Sequence, residues 1–106
     1  MPTVDEIAAT IRELAARWGS SPQEINNGQC EDFAIAVANH LGLNAWKLLM
    51  ANPVEELLGH IWLTINGRHY DAEMPEGEDS WWDLPIYRRI KDHPYYRQFF
   101  ADGEKP

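Results

Sequence analysis

Val4, Ile7, Ala8, Ile11, Leu14, Ala15 and Trp18 recur at helical spacing, so the chain opens with an amphipathic helix. Thr3 and Glu6 stand in the Thr-x-x-Glu pattern of a capping box, which satisfies N–H groups that a helix start leaves unpaired. Gly19 follows the last apolar position and supplies the stop. Ser21-Pro22-Gln23-Glu24 repeats the cap signal, with Pro22 at the first helical position, and only a short turn of helix fits before Asn26-Asn27-Gly28. A second long helix begins near Gln29 or Cys30. Its buried stripe is Cys30, Phe33, Ala34, Val37, Ala38 and Leu41, and Gly42 ends it.

The pattern then shortens. Ala45 to Ala51 reads as a buried strand, with a helical reading left open, and Asn52-Pro53 breaks it. His60 to Ile65 is rich in β-formers, Asn66-Gly67 is the preferred dipeptide of a type I′ turn, and Arg68 to Ala72 returns as the partner strand. A two-residue loop pairs Ile65 with Arg68 and Thr64 with His69, and sets Trp62 opposite Asp71 and His60 opposite Glu73. Alternation then places His60, Trp62, Thr64, His69, Asp71 and Glu73 on one face. Ile61, Leu63, Ile65, Tyr70 and Ala72 point to the other, the core face. A slip of one residue would send Asp71 to the wrong side. The tail carries Trp81, Trp82, Tyr87, Tyr95, Tyr96, Phe99 and Phe100, enough to cover one side of the sheet, and Pro85 and Pro94 can each open a short helix. Helices, then strands, then short helices imply an α+β domain.

Composition narrows the function. A chain of 106 residues fits a single domain, 1–106, and a hydrophobic fraction of 44% with five tryptophans excludes disorder. The net charge of -8 repels phosphate backbones and anionic membranes, so no nucleic acid and no membrane partner is expected, whereas a basic protein or peptide is attracted. No apolar run approaches the roughly 20 residues of a membrane span. The N-terminus lacks the basic and apolar regions of a signal peptide, and a single cysteine forbids an internal disulfide; both suit the cytoplasm.

Cys30 is the residue with the most chemistry. At a helix start, unpaired N–H groups and the helix dipole favour a thiolate, and the same N–H groups can stabilise an oxyanion. Glu31 and Asp32 work against it, and would raise the thiol unless a cationic histidine compensates. A cysteine on an apolar stripe is also common core filler. The hairpin supplies the counterweight, because Asp71 is a diagonal neighbour of His60, close enough to orient an imidazole and stabilise its cation. Glu73 is the substitute orienter in the same register. Zinc accepts the types of Cys30, His60, His69, Asp71 and Glu73, but no tight Cys-x-x-Cys or His-x-x-x-His spacing is present, so neither metal nor cofactor is expected.

Three segments resemble one family. Asn27-Gly28-Gln29-Cys30-Glu31-Asp32-Phe33-Ala34 resembles the nucleophile motif of the transglutaminase-like superfamily, Gly-x-Cys-x-Asp-Phe-Ala. Gly59-His60-Ile61-Trp62-Leu63 resembles its His-x-Trp-aliphatic strand, and Tyr70-Asp71-Ala72 its aspartate strand. Leu41-Gly42-Leu43 is similar to the link between helix and sheet. The resemblance covers about residues 27 to 73, in order. It implies a minimal papain-like cysteine hydrolase core: a cysteine helix packed on a small antiparallel sheet, with a triad of Cys30, His60 and Asp71. It also implies thiol-dependent acyl transfer, with the Cys30 N–H at the oxyanion and Gln29 as a candidate donor; Trp62, on the same face as His60, is a candidate wall of the site or a support of the sheet. The chain is far shorter than typical transglutaminases, has Ala72 where many members have proline, and shows no EF-hand-type calcium loop. A small amidase, peptidase or deamidase is therefore expected rather than a cross-linking enzyme. The rival reading is an acidic binding module or inhibitor with an enzyme-like fold, of the kind a virus or mobile element encodes. It would present Trp81 and Trp82 to a basic partner and have no need of the cysteine.

Overall fold

Both capping boxes form as the spacing predicts. In a computed structural model that describes residues 1–54, 57, 59–91 and 93–97, Thr3 and Glu6 cap helix α1 (Val4–Arg17) reciprocally, and Ser21 and Glu24 do the same for α2 (Pro22–Asn26). Helix α3 (Cys30–His40) starts at the cysteine. The next segment divides. Asn44 accepts a hydrogen bond from the Trp46 N–H and caps a single turn, α4 (Ala45–Leu48), before strand β1 (Leu49–Ala51). The helical alternative thus holds for the first half of the run, and Trp46 is 75% exposed rather than buried.

Strands β2 (Ile61–Ile65) and β3 (Arg68–Asp71) pair in the expected register, Ile65 with Arg68 and Thr64 with His69. Asn66 and Gly67 both take positive φ, 53° and 77°, which a type I′ turn requires. A fourth strand, β4 (Met74–Glu78), has no counterpart in the sequence expectations. The sheet runs β1-β2-β3-β4 and every pair is antiparallel.

The strand β4 contains Pro75 and Gly77, both poor strand residues. Arg68 on the neighbouring strand holds it in place. The guanidinium donates to the Glu76 carbonyl at 2.8 Å, the Gly77 carbonyl at 3.0 Å and Asp79 at 2.9 Å. Gly77 is required there for two reasons: its φ is +78°, and an added Cβ would sit 2.8 Å from the Tyr70 ring and 2.9 Å from the Arg68 stem. Gly77→Ala should therefore cost roughly 2–3 kcal/mol of stability, from overpacking and left-handed backbone together. Urea unfolding followed by tryptophan fluorescence measures it, and a loss under about 0.5 kcal/mol would show that this backbone can relax.

The sheet is covered on both faces. Against one lie α1, α2 and α3, with Ile7, Ile11, Ile25, Phe33 and Val37 meeting Leu63, Ile65 and Tyr70. Against the other lies a second core built on Trp62, in which Trp81 of a 3-10 turn (Trp81–Asp83) joins Leu84, Ile86 and Tyr87. Helix α5 (Pro85–Ile90) opens at Pro85, and Pro94 begins a turn instead of a helix over the described residues. Trp81 is buried and Trp82 half-buried, so Trp81, Trp82, Tyr87 and Tyr96 do cover the sheet whereas Tyr95 is 54% exposed, and the exposed tryptophan surface imagined for a basic partner is not built from Trp81 and Trp82. Phe99 and Phe100 lie outside the described residues. The fold is a small α+β domain with helices on a four-stranded antiparallel sheet. Among the described residues, no helix is long and apolar enough to cross a membrane.

Candidate active site

His60 immediately precedes β2, at the end of the sheet that meets the start of α3. The side chain is fully buried, and Nε2 lies 2.9 Å from Asp71 Oδ2, whose side chain is 3% exposed. The carboxylate is held in turn by the Glu73 N–H, which donates to Oδ1 at 2.9 Å. Asp71 is therefore pinned at both oxygens. It presents one of them to the imidazole, as the diagonal register predicts.

With Nε2 committed to Asp71, Nδ1 is the ring nitrogen left for Cys30. It is buried and closes no hydrogen bond of ordinary geometry. The thiol is nonetheless close enough for the two groups to shift one another. His60 lowers the half-buried Cys30 thiol against the upward pull of burial, helped by the Ile61 and Glu31 N–H groups. Burial pulls His60 down, but Asp71 and Cys30 together outweigh it and raise the imidazole to about 9. Both shifts run in the direction of a thiolate–imidazolium pair. Glu31 and Asp32 are exposed, where water and salt screen their opposing charge.

Trp62 holds the histidine from behind. It is 0% exposed, stacks on Trp81 with centroids 5.8 Å apart, and lies 5.8 Å from the His60 ring. Of the two roles expected for it, this side chain takes the supporting one, because it backs His60 and is absent from the lining of the cleft at Cys30. Its indole N–H donates to His69 Nδ1 at 3.0 Å. An indole can only donate, so His69 accepts there, and burial accordingly lowers its pKa. His69 is thereby a neutral strut of the sheet.

Gln29 caps α3 without a side-chain hydrogen bond to the helix. Its Oε1 accepts from the Trp18 indole at 2.8 Å, which ties the start of α3 to the end of α1 and leaves Nε2 as its donor. The expected pairing of His60 with Glu73 does not occur. Asp71 pairs with Met74 across a tight turn, so Ala72 and Glu73 leave the ladder. Glu73 instead forms a two-pronged ion pair with Arg89, at 2.6 and 2.9 Å, and accepts from Asn26 Nδ2 at 2.8 Å. It is therefore not the substitute orienter. Among the described residues, no three His, Cys, Asp or Glu side chains are grouped to hold a metal ion.

Cys30 opens to a cleft of about 190 Å³ lined by Asn26, Asn27, Gly28, Cys30, Gly59 and Ile86. A larger groove of about 430 Å³ lies between α1 and the β3–β4 turn, but its lining, which includes Arg12, Ser20 and Pro75, carries no nucleophile-and-base pair. Asn26 is the residue the sequence did not single out. Asn26-Asn27-Gly28 reads as turn punctuation, and only its spacing of four residues before Cys30 hinted at a shared cleft. The chain matches no family model, no curated protein and no solved structure among those compared.

Proposed function

We propose that this chain is a small thiol-dependent acyl-transfer enzyme of the papain-like, transglutaminase-like kind, acting on an amide-type bond in a protein or peptide. One observation carries the reading: a half-buried thiol at a helix start faces an imidazole whose other nitrogen is held by a buried carboxylate. In this mechanism the Cys30 thiolate attacks the carbonyl carbon, and the carbonyl π electrons move onto oxygen. The Cys30 N–H, unpaired at the first turn of α3, receives that oxyanion, with Gln29 Nε2 as the candidate second donor. The imidazolium of His60 gives its proton to the departing amine as the C–N bond breaks, leaving an acyl-thioester. Neutral His60 then takes a proton from water, whose oxygen attacks the thioester, releasing the carboxylic acid and restoring the pair. Asp71 keeps the imidazole in one orientation throughout.

An activated ester tests this without knowledge of the natural substrate. On incubation with p-nitrophenyl acetate, intact-mass analysis should show one acetyl group on wild type, located at Cys30, with p-nitrophenolate release continuing as the adduct hydrolyses. Cys30→Ala should form no adduct. An unmodified wild type, or acetylation elsewhere with equal release from Cys30→Ala, would sink the proposal. The binding-module alternative keeps the net charge of -8 in its favour but loses the exposed Trp81 and Trp82.

A further inference from the structure

Asn26 ends α2 and is only 4% exposed. The ion pair with Arg89 and the Asn26 hydrogen bond outweigh the pull of burial and lower the Glu73 pKa, so Glu73 is an ionised acceptor. An ionised carboxylate has no proton to give, so the atom of Asn26 that meets it is Nδ2, and the amide orientation is fixed chemically. Arg89 grips both Glu73 oxygens and makes this a clamp. The remaining polar atom, Oδ1, is buried and has no hydrogen-bond partner among the described residues. A native fold seldom leaves a buried carbonyl so, because it forfeits about 1–3 kcal/mol. This side chain lines the cleft that holds Cys30, and also the small cavity behind the thiol.

An acceptor held by a clamp beside a nucleophile calls for a donor that arrives with the ligand. One Nδ2 proton of Asn26 is spent on Glu73, and the atom left with no partner among the described residues is the carbonyl oxygen, which can only accept. We infer that Asn26 is a substrate-binding residue whose Oδ1 accepts the N–H of the substrate amide that reacts at Cys30. This deepens the acyl-transfer reading and rests on it. It assigns the preference for amides over isosteric esters to one residue: an ester puts an oxygen where the N–H would be and leaves Oδ1 unpaired. The Glu73–Arg89 pair acts through Asn26 as a positioning device.

The test uses two alkylating probes of nearly equal shape, N-methylchloroacetamide and methyl chloroacetate. Each forms an S–C bond at Cys30 and expels chloride, and each rate is divided by its rate with free cysteine. Wild type should favour the amide by about 3- to 10-fold after this correction, the worth of one neutral hydrogen bond. In Asn26→Ala, checked for native tryptophan fluorescence, the corrected amide-over-ester preference should vanish. A corrected preference near one in wild type overturns the inference and needs no variant. A preference that survives in folded Asn26→Ala overturns it too, because the N–H is then read elsewhere. Slow reaction with both probes and an ordinary thiol pH profile would overturn the acyl-transfer reading itself, and this inference with it.

Discussion

His60→Ala should slow alkylation of Cys30 by iodoacetamide about tenfold at pH 6.5, and the difference should close near about pH 7.5 and reverse above it, where the variant's more basic thiolate is ionised and the better nucleophile. The first cause of the lowered thiol is its contact with His60, opposed by burial. With the imidazole gone, the Ile61 and Glu31 N–H groups remain, but the cation does not. A thiol near the ordinary value of about 8.5 is only ~1% ionised at pH 6.5, which sets a ceiling of about 100-fold on the loss. Thiolates of low pKa are intrinsically weaker nucleophiles, with a Brønsted slope of about 0.4–0.5, and this returns roughly a factor of ten. The single cysteine makes the readout unambiguous. The rings of Trp62 and Tyr87 both lie near His60, so unchanged tryptophan emission would certify that the variant keeps its second core. Identical profiles for wild type and folded His60→Ala would dissolve the pair and leave Cys30 as core filler.

The parts of this site that were legible in the sequence are those fixed by local chemistry. Asn66-Gly67 determines a two-residue turn, the turn determines the register, and the register carries Asp71 to His60. Capping boxes at Thr3 and Ser21 locate α1 and α2 just as locally. What escaped depends on partners distant in sequence. Strand β4 looks wrong for a strand because of Pro75 and Gly77, and it exists because Arg68 straps its carbonyls and α1 lies beside it. The register shift between His69 and Asp71, together with the turn at Ala72 and Glu73, ends the alternation that would have set Glu73 opposite His60. Glu73 then meets Arg89, sixteen residues on. The inward turn of Trp81 follows from the apolar second face of the sheet, where Trp62 provides a stacking partner. Asn26 was hidden for the same reason: its significance lies in a clamp made by residues 47 and more positions away.

Asp71→Ala is expected to destabilise the fold by about 3–5 kcal/mol near pH 6, the usual cost of removing one partner from a buried ion pair. The variant leaves His60 fully buried, with nothing at Nε2 to accept its proton. Burial, the largest influence on this imidazole and one that disfavours its charge, then prevails. The sign of the pH dependence follows. In wild type, His60 titrates at about 9 when folded and near 6.5 when unfolded, so its contribution to stability is complete below about 6.5 and lost as pH rises through about 9. Cys30, being lowered, contributes in the opposite sense: its share is present at high pH and lost as pH falls through the folded value. Where folded Cys30 is ionised and His60 still charged, the folded state keeps one proton on His60 while the unfolded chain, above about 7, keeps one on Cys30, so these two groups then cancel in the pH dependence of wild-type stability. In Asp71→Ala the folded histidine is neutral, and below about 6.5 the unfolded chain binds the extra proton. With that histidine neutral, Cys30 keeps its own proton, so both folded proteins hold one proton on the pair and the deficit stays flat until wild-type Cys30 takes up a proton; below that point it should deepen by up to about 1.4 kcal/mol per pH unit. Urea titrations of both proteins at pH 5.5, 6.5 and 8 measure this directly. A deficit that is small and never deepens on acidification would mean that His60 is neutral in the native chain. In that case Asp71 holds an imidazole rather than an imidazolium, and the thiol of Cys30 would have no cation to lower it.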